Sequence, residues 1–552
     1  MNMTKSILVF LLLFSFKSSI ISQPTVGVIS LEEDSYEGYT FFSPFSGTKA
    51  YMIDNCGRLI NTWDRGTKPG LSAYFLEDGT MLRTYKPSPV GPFTSASNSG
   101  GIEIVDWDNN TIWQYEFNTD TQLTHHDAVK LPNGNILTLS WELTFVDELI
   151  SLGRDPNEIA PQNFMWSEKI LEFKPVGTSD AEIVWEWHIN DHYIQDFDQT
   201  KDGFGNISDH PELFDINYPE LNSGNSNSTR DWNHFNAIDY NENLDQILIS
   251  VRNSDEVWIL DHSTTSTEAA SHEGGSSGKG GDILYRWGNP SSYKQAPISD
   301  QKLFGQHGVH WIKEGLANEG KILIFNNGNG NPDGSYSQIQ ILDPEIIDGQ
   351  YTLESSQVFG PDEANTLFGI GLSERFYSAY MSNAQQLSNG NILINSGSPG
   401  RIFEINAGNE IVWDYIIPLF GDVPATQGQN VSGNANFRAY KYGADFPGFE
   451  GIDLTPGIPI ELNPEECITT STSHSSSLKI AISYNPFNNS IELKNVNANQ
   501  ISLFDVMGRE VFRSKITNSN TIELPRLLTG VYFIHVSEKE DIYSIGVFIS
   551  PY

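Results

Sequence analysis

Basic charge is scarce in this chain. Across 552 residues, 32 lysines and arginines face 70 aspartates and glutamates, a formal net charge of −38. A protein that grips a nucleic-acid backbone needs a basic face, so nucleic acid is excluded as a partner. The acidic excess reads instead as solubility in a salty exterior. Long amphipathic helical patterning is also missing, while glycine (47) and aromatics (12%) are plentiful among short apolar stretches. That balance points to an all-β chain. No Gly-rich phosphate loop and no GxGxxG follows a strand, which argues against nucleotide chemistry. Apolar runs are short throughout, with one exception. Lys5 is followed by ILVFLLLFSF and by small residues near Ser18–Ser22. Residues 1–22 therefore read as a secretory signal, too short to span a bilayer comfortably, and no later segment is long and apolar enough to span. Export is expected, and it makes a disulfide possible between the two cysteines, Cys56 and Cys467.

What the chain does have is repetition. THHDAVKLPNG (124–134), NHFNAIDYNEN (233–243) and QHGVHWIKEG (306–315) align so that His126, His234 and His307 share one column. A fourth copy, MSNAQQLSNG (381–390), carries Ser382 there. An apolar strand follows each turn: NILTLSW, QILISVR, KILIFNN and NILINSG. A second pattern, an alternating strand, a turn and a strand ending in tryptophan, covers Tyr51–Trp63, Ile102–Trp113, Ile170–Trp187, Val257–Trp287 and Ile402–Trp413; Ile339–Asp343 begins a copy without the tryptophan. Period-two alternation marks strands with a buried face. Six units of about four strands predict a six-bladed β-propeller over residues 23–464, with long insertions at 144–167, 194–230 and 343–376. A pair of β-sandwiches is the alternative. Cys56 lies in the first blade and Cys467 just beyond the last, so closing the ring would bring them together.

Equivalent positions of successive blades surround the axis, so His126, His234 and His307 are expected to converge at one mouth of the channel. Asn236 follows His234 on the same strand face. The hairpin centred on Asn243 sets Arg252 opposite His234, within about 5 Å. The next hairpin brings Asn326 or Asn327 towards His307. Imidazole is a nucleophile and proton carrier near neutral pH. Arginine presents a rigid fork to tetrahedral oxyanions. Neutral Asn and His donors can stabilise equatorial oxygens as charge shifts. The set suits sulfuryl or phosphoryl transfer with no cofactor. His125 and His310 read as strand-capping or blade-bridging residues.

HHDAVKLPNGNIL, NHFNAIDYNENLDQILISVR, QHGVHWI and ILIFNNGNG resemble the bacterial arylsulfate sulfotransferase family over most of residues 25–460. The resemblance implies a six-bladed propeller that moves a sulfuryl group from a phenolic sulfate ester to a phenol acceptor without a nucleotide donor. It implies that His307 is the transiently sulfated nucleophile and that His126, His234, Asn236 and Arg252 hold the sulfate. Asn326 and Asn327 would support them. Two other readings stay open: a secreted propeller that binds anionic or sulfated ligands without turnover, and a histidine-bound metal hydrolase or lyase, which the Arg252 cation disfavours. Beyond a linker at 465–477, with its Ser/Thr-rich core ITTSTSHSSS, residues 478–552 carry NPFNNSI, DVMG and GVYF. This stretch resembles the C-terminal sorting domain of the type IX secretion system. It implies that machinery as a partner and a secreted or surface-attached protein.

Overall fold

The structure is a computed structural model that describes residues 24–467, apart from 89–90, 160–162, 219–229, 348–349, 352, 354–357 and 371–374, together with the strands of 481–549 and part of their connections. The signal at 1–22 and the Ser/Thr-rich core of the linker at 468–477 lie outside the described residues. The chain divides into two compact units, Met1–Ser471 and Thr472–Tyr552.

In the first unit the repeats become six four-stranded antiparallel blades. Blade two runs Pro69–Phe75, Met81–Tyr85, Gly101–Val105 and Thr111–Glu116, from the inner strand outwards. Blade three is Gln122–Lys130, Ile136–Phe145, Phe164–Val176 and Asp180–His188. Blade four is Phe235–Asn241, Gln246–Val251, Glu256–Asp261 and Tyr285–Trp287. Blade five is His307–Trp311, Ile322–Asn326, Gln338–Leu342 and Asn365–Phe368. Blade six is Asn383–Gln386, Ile392–Ser396, Arg401–Ile405 and Ile411–Ile416. The histidine repeat supplies the inner hairpins of blades three, four and five, and the tryptophan repeat supplies outer pairs.

The recurring tryptophan has a job at five of the six blade junctions, all but that between blades five and six. Its indole N–H donates to a backbone carbonyl of the following blade: Trp63 to Asp106 (2.9 Å), Trp113 to Asp180 (2.9 Å), Trp187 to Gly281 (2.8 Å) and Trp287 to Pro361 (2.7 Å). Trp413 of blade six donates to Asn55 of blade one at 2.8 Å, so the same staple closes the circle. A buried indole must place its N–H on an acceptor, and the bulk of the ring fills the joint between two sheets.

Blade one is assembled from both ends of the ring. Its inner strand is Asn436–Gly443, paired antiparallel to Gly38–Pro44, with Lys49–Ile53 and Leu59–Asp64 outside. Conversely, Gly27–Leu31 adds a fifth, outermost strand to blade six. Two strands exchanged in opposite directions close the ring through main-chain hydrogen bonds. The Cys56–Cys467 disulfide forms across the same closure, with a Cα–Cα distance of 5.5 Å and a separation of 411 residues. It constrains the unfolded chain over a very long loop, which corresponds to about 6 kcal/mol of stabilisation in the loop-closure picture, less any strain. Replacing both cysteines by serine is therefore expected to lower the thermal midpoint measurably while leaving the site intact; an unchanged midpoint by calorimetry would refute this.

The stretch 144–167, expected to be an inserted loop, is strand only at its two ends. The second and third strands of blade three run past the sheet, pairing out to Phe145 and Phe164, and a short helix, Val146–Ser151, caps the extension. The second unit forms two antiparallel sheets, one of three strands (Ala481–Asn485, Ser490–Lys494, Thr521–Glu523) and one of four (Gln500–Asp505, Glu510–Lys515, Gly530–Glu538, Asp541–Ile549). Ile491, Ile501, Leu503, Ile534 and Val536 form the heart of its own core.

Candidate active site

His126, His234 and His307 meet on one cavity of about 440 Å³, together with Arg252. The local backbone explains how. His126 and His234 both adopt left-handed conformations, φ 50° and 55°, which few residues other than glycine accept. Each stands beside a β-bulge of an inner strand, His126 within its strand opposite Thr138/Leu139 and His234 just before its strand next to Phe235/Ala237. Held there at a cost of order 1 kcal/mol each, the two rings pack edge to face with centroids 4.6 Å apart. In the third copy the left-handed residue is Gly308, φ 62°, one place after His307. A Cβ on Gly308 would lie 2.7 Å from Asn383 Cα and 2.8 Å from the Ser382 carbonyl, so blade six leaves room for glycine alone. Gly308→Ala is thus expected to push His307 away from the cavity, lowering kcat/KM about tenfold or more and destabilising the fold by about 1–3 kcal/mol. Wild-type kinetics in that variant would contradict the close fit. The bulge between His307 and His310 also means that simple alternation, which would set His310 on the opposite face, does not carry across it. His310 bonds through Nδ1 to the Gly308 carbonyl at 3.0 Å.

Each ring is oriented by its own partner. His307 Nδ1 lies 2.9 Å from the Gly305 carbonyl and 2.9 Å from Asn327 Oδ1. The Asn327 amide cannot be turned round, because its Nδ2 donates to the Ser378 and Met381 carbonyls. Both neighbours of Nδ1 are therefore acceptors, Nδ1 carries the proton, and Nε2 keeps the lone pair. Burial, with the Arg252 guanidinium nearby, holds the His307 pKa well below the ordinary imidazole range. His234 Nδ1 lies 2.6 Å from Asp231 Oδ2. Behind His126 runs a buried line: His126 Nδ1 meets His125 Nδ1 at 2.8 Å, and His125 Nε2 meets Glu168 Oε2 at 3.0 Å. His125 stacks on Trp141, centroids 4.0 Å apart. Burial pushes His125 down to about 3, His126 well below its usual value, and Glu168 well above the carboxylate range. All three shifts favour neutral groups.

Arg252 stands opposite His234 as the hairpin count requires, its N–H donating to the His234 carbonyl at 3.2 Å. Its Nη1 donates to Asn253 Oδ1 at 2.8 Å, and it makes no ion pair with a described carboxylate. The expected asparagines divide. Asn327 reaches His307, whereas Asn326 binds the backbone of Phe304 and Lys302 in the approach to blade five. Asn236 does not line the cavity; its Nδ2 donates to the Gln306 carbonyl at 2.8 Å, one residue before His307. Ser382, in the fourth copy, accepts from Gly397 N and bonds Ser378, while the neighbouring Met381 lines the cavity.

Several residues of the site carry no mark in the repeat. Asp231, Glu168 and Arg438 are the main ones. Arg438, on the inner strand of blade one, is fully buried and pairs with Asp127 of blade three at 3.1 Å. It also donates to the Ser382 carbonyl of blade six (3.1 Å) and the Asn236 carbonyl of blade four (3.4 Å). One guanidinium thereby ties four blades together. Asp127, beside His126 in sequence, also accepts from Tyr74 of blade two at 2.5 Å.

Comparison with known proteins bears on this arrangement. The family model for arylsulfotransferase (ASST) matches residues 47–414, and the secretion system C-terminal sorting domain matches 484–549. Comparison with curated proteins finds no match. Among solved structures, a protein of unknown function from Bacteroides caccae is similar at 12% identity, covering 69% of this chain and 93% of its own, with a TM-score of 0.36. Virginiamycin B lyase from Staphylococcus aureus is similar at 11% identity, over 72% and 90%, with a TM-score of 0.30. The periplasmic gluconolactonase of Pseudomonas aeruginosa is similar at 9%, over 74% and 99%, with a TM-score of 0.32. These structural likenesses carry no part of the functional assignment. The family match extends from blade one to the outer strand of blade six and takes in every histidine of the shared column, so this chain, an aryl sulfotransferase with a C-terminal secretion sorting domain, belongs to the arylsulfotransferase family.

Proposed function

We propose that the protein transfers a sulfuryl group from a phenolic sulfate ester to a phenol through a sulfohistidine at His307. The observation that carries this reading is the fixed tautomer of His307, with Nδ1–H held by Gly305 and Asn327 and a lone pair left on Nε2 in the cavity wall. Nε2 attacks sulfur, the N–S bond forms, and the S–O bond to the aryl group breaks with its electron pair leaving on the phenolate. Positive charge growing on the ring is drawn towards the two acceptors on Nδ1. In the second half the acceptor phenol oxygen attacks sulfur and the N–S electrons return to Nε2.

Proton handling falls to His234. Its Nε2–H protonates the departing phenolate, and the same nitrogen takes the proton from the incoming phenol, with the Asp231 carboxylate balancing the ring charge. Arg252 offers its fork to the sulfuryl oxygens. A protonated Glu168 donates to His125 Nε2, His125 Nδ1–H donates to His126 Nδ1, and His126 presents Nε2–H to another sulfuryl oxygen. Glu168 and His125 are positioning residues in this scheme, and Asn236 supports the main chain leading into His307. Phe45, Tyr380 and Phe437 in the cavity wall supply apolar faces for the aromatic rings. No cofactor enters the scheme. Release of phenol from an aryl sulfate that depends on an added phenol acceptor is the expected result; binding without release would favour the ligand-binding alternative.

The sorting-domain match supports secretion or attachment at the cell surface, with the type IX machinery as partner. We read the second unit as separable from the propeller. Limited proteolysis within 468–477 should leave a soluble, folded fragment that ends in this linker and keeps the Cys56–Cys467 disulfide, and an aggregated fragment would count against this boundary.

A further inference from the structure

Away from the cavity, the joint between blades three and four holds a second cluster of histidines. The nitrogens of His192 and His272 and a carboxylate oxygen of Asp282 lie within 4.8 Å of one another. We propose that these three residues form a zinc site that fastens the Ser/Gly-rich insertion of blade four to the end of blade three.

The geometry gives each atom a defined part. His192 ends the single helical turn Ile189–His192 that follows the outer strand of blade three. It is buried, and its ring lies parallel to Trp187, with centroids 5.3 Å apart. His192 Nε2 lies 2.8 Å from the Ala269 carbonyl, an acceptor, so Nε2 carries a proton. Nδ1 faces the Asp282 carboxylate and would ligate by giving up the proton shared with it, and the Ala269 carbonyl is the kind of outer partner that orients a metal-bound imidazole. His192 Nδ1 and His272 Nδ1 each lie 2.8 Å from the same oxygen, Asp282 Oδ1. Around tetrahedral zinc, with ligand bonds near 2.0–2.2 Å, ligand atoms stand roughly 3.3 Å apart, so each contact needs to open by about half an ångström. His272 is exposed and free to make that move. Two imidazoles and one carboxylate, with a fourth position for water, match the preferences of zinc and not those of calcium or magnesium.

The location suggests what the ion does. Asp282 follows Gly281, whose carbonyl takes the Trp187 indole staple. His272 and Asp282 flank the glycine-rich segment 273–281, which packs little apolar surface of its own. A tetrahedral ion here would cross-link that segment to blade three at the very joint the tryptophan already bridges.

The test is zinc binding by the full chain. Dialysed protein titrated with zinc chloride should take up one ion, and zinc should raise its thermal midpoint. Asp282→Asn and His272→Ala should each weaken zinc at least tenfold and remove the midpoint rise. His272 is exposed, so its alanine variant should fold without the metal, and phenol release should be unchanged because none of the three residues lines the catalytic cavity. Absence of stoichiometric zinc in the wild type, or zinc affinity in the His272→Ala or Asp282→Asn variant equal to that of the wild type, would overturn the proposal.

Discussion

Changing His307 to alanine should abolish sulfuryl transfer, with a loss of roughly 10⁴-fold or more, because in the proposed mechanism it is the nucleophile and no neighbouring group takes its place. In the proposed scheme His126 presents Nε2–H to a sulfuryl oxygen and His234 Nε2 carries the transferred proton, so neither offers a free lone pair to sulfur. The propeller should remain folded, since its closure rests on strand exchange, tryptophan staples and the disulfide rather than on this ring. Wild-type enzyme mixed with donor alone and quenched rapidly should gain one sulfuryl mass on the peptide containing His307. The kinetics should be ping-pong, with donor phenol leaving before acceptor binds. The pH profile gives a third readout. In the proposed mechanism His307 reacts as the neutral imidazole, and burial holds its pKa well below the ordinary value. Neutral ring therefore persists as pH falls through the usual imidazole range, and the acid limb assigned to the nucleophile should lie below that range. A label on another residue, or turnover surviving in His307→Ala, would sink the mechanism while leaving the fold untouched.

Arg252→Lys should lower turnover roughly 10²-fold while the fold survives. Lysine keeps the positive charge and loses the planar pair of donors that matches two sulfuryl oxygens at once. The guanidinium makes no ion pair with a described carboxylate, and its contact to Asn253 leaves the fork to face the cavity. The loss is expected in kcat/KM, because the oxygens gain charge density in the transition state and the fork is matched to them there. Full activity in the lysine variant would reduce Arg252 to a fixed charge near His307.

How much of this was legible in the sequence differs from residue to residue. The blades were legible because each is built from neighbours in the chain: a hairpin such as Asn233–Val251 declares its strands by alternation and its turn by Glu242-Asn243, and its register follows. That register alone set Arg252 opposite His234. The histidine column was legible for the same reason, since a residue at one place in a repeat keeps that place in every blade. Other partners answer to no local rule. Asp231 and Glu168 reach His234 and His125 from loop and strand positions outside the repeat. The closure of blade one by Asn436–Gly443 pairs residues some 400 positions apart, and Arg438 reaches three other blades from that strand. Asn236 lies at the bulge between Phe235 and Ala237, where simple alternation does not carry, and a backbone carbonyl of the next blade claims its amide. Gly308 is the sharpest case. Sequence shows only that a glycine follows His307; blade six, packed 2.7 Å from where a Cβ would sit, decides that nothing larger can stand there. Local periodicity fixes what hydrogen bonds along a hairpin can fix, the strand order and the facing pairs. Which nitrogen of each histidine carries a proton, and which buried charge balances it, is set by side chains from other blades, because only the closed ring removes the water that would otherwise satisfy those groups.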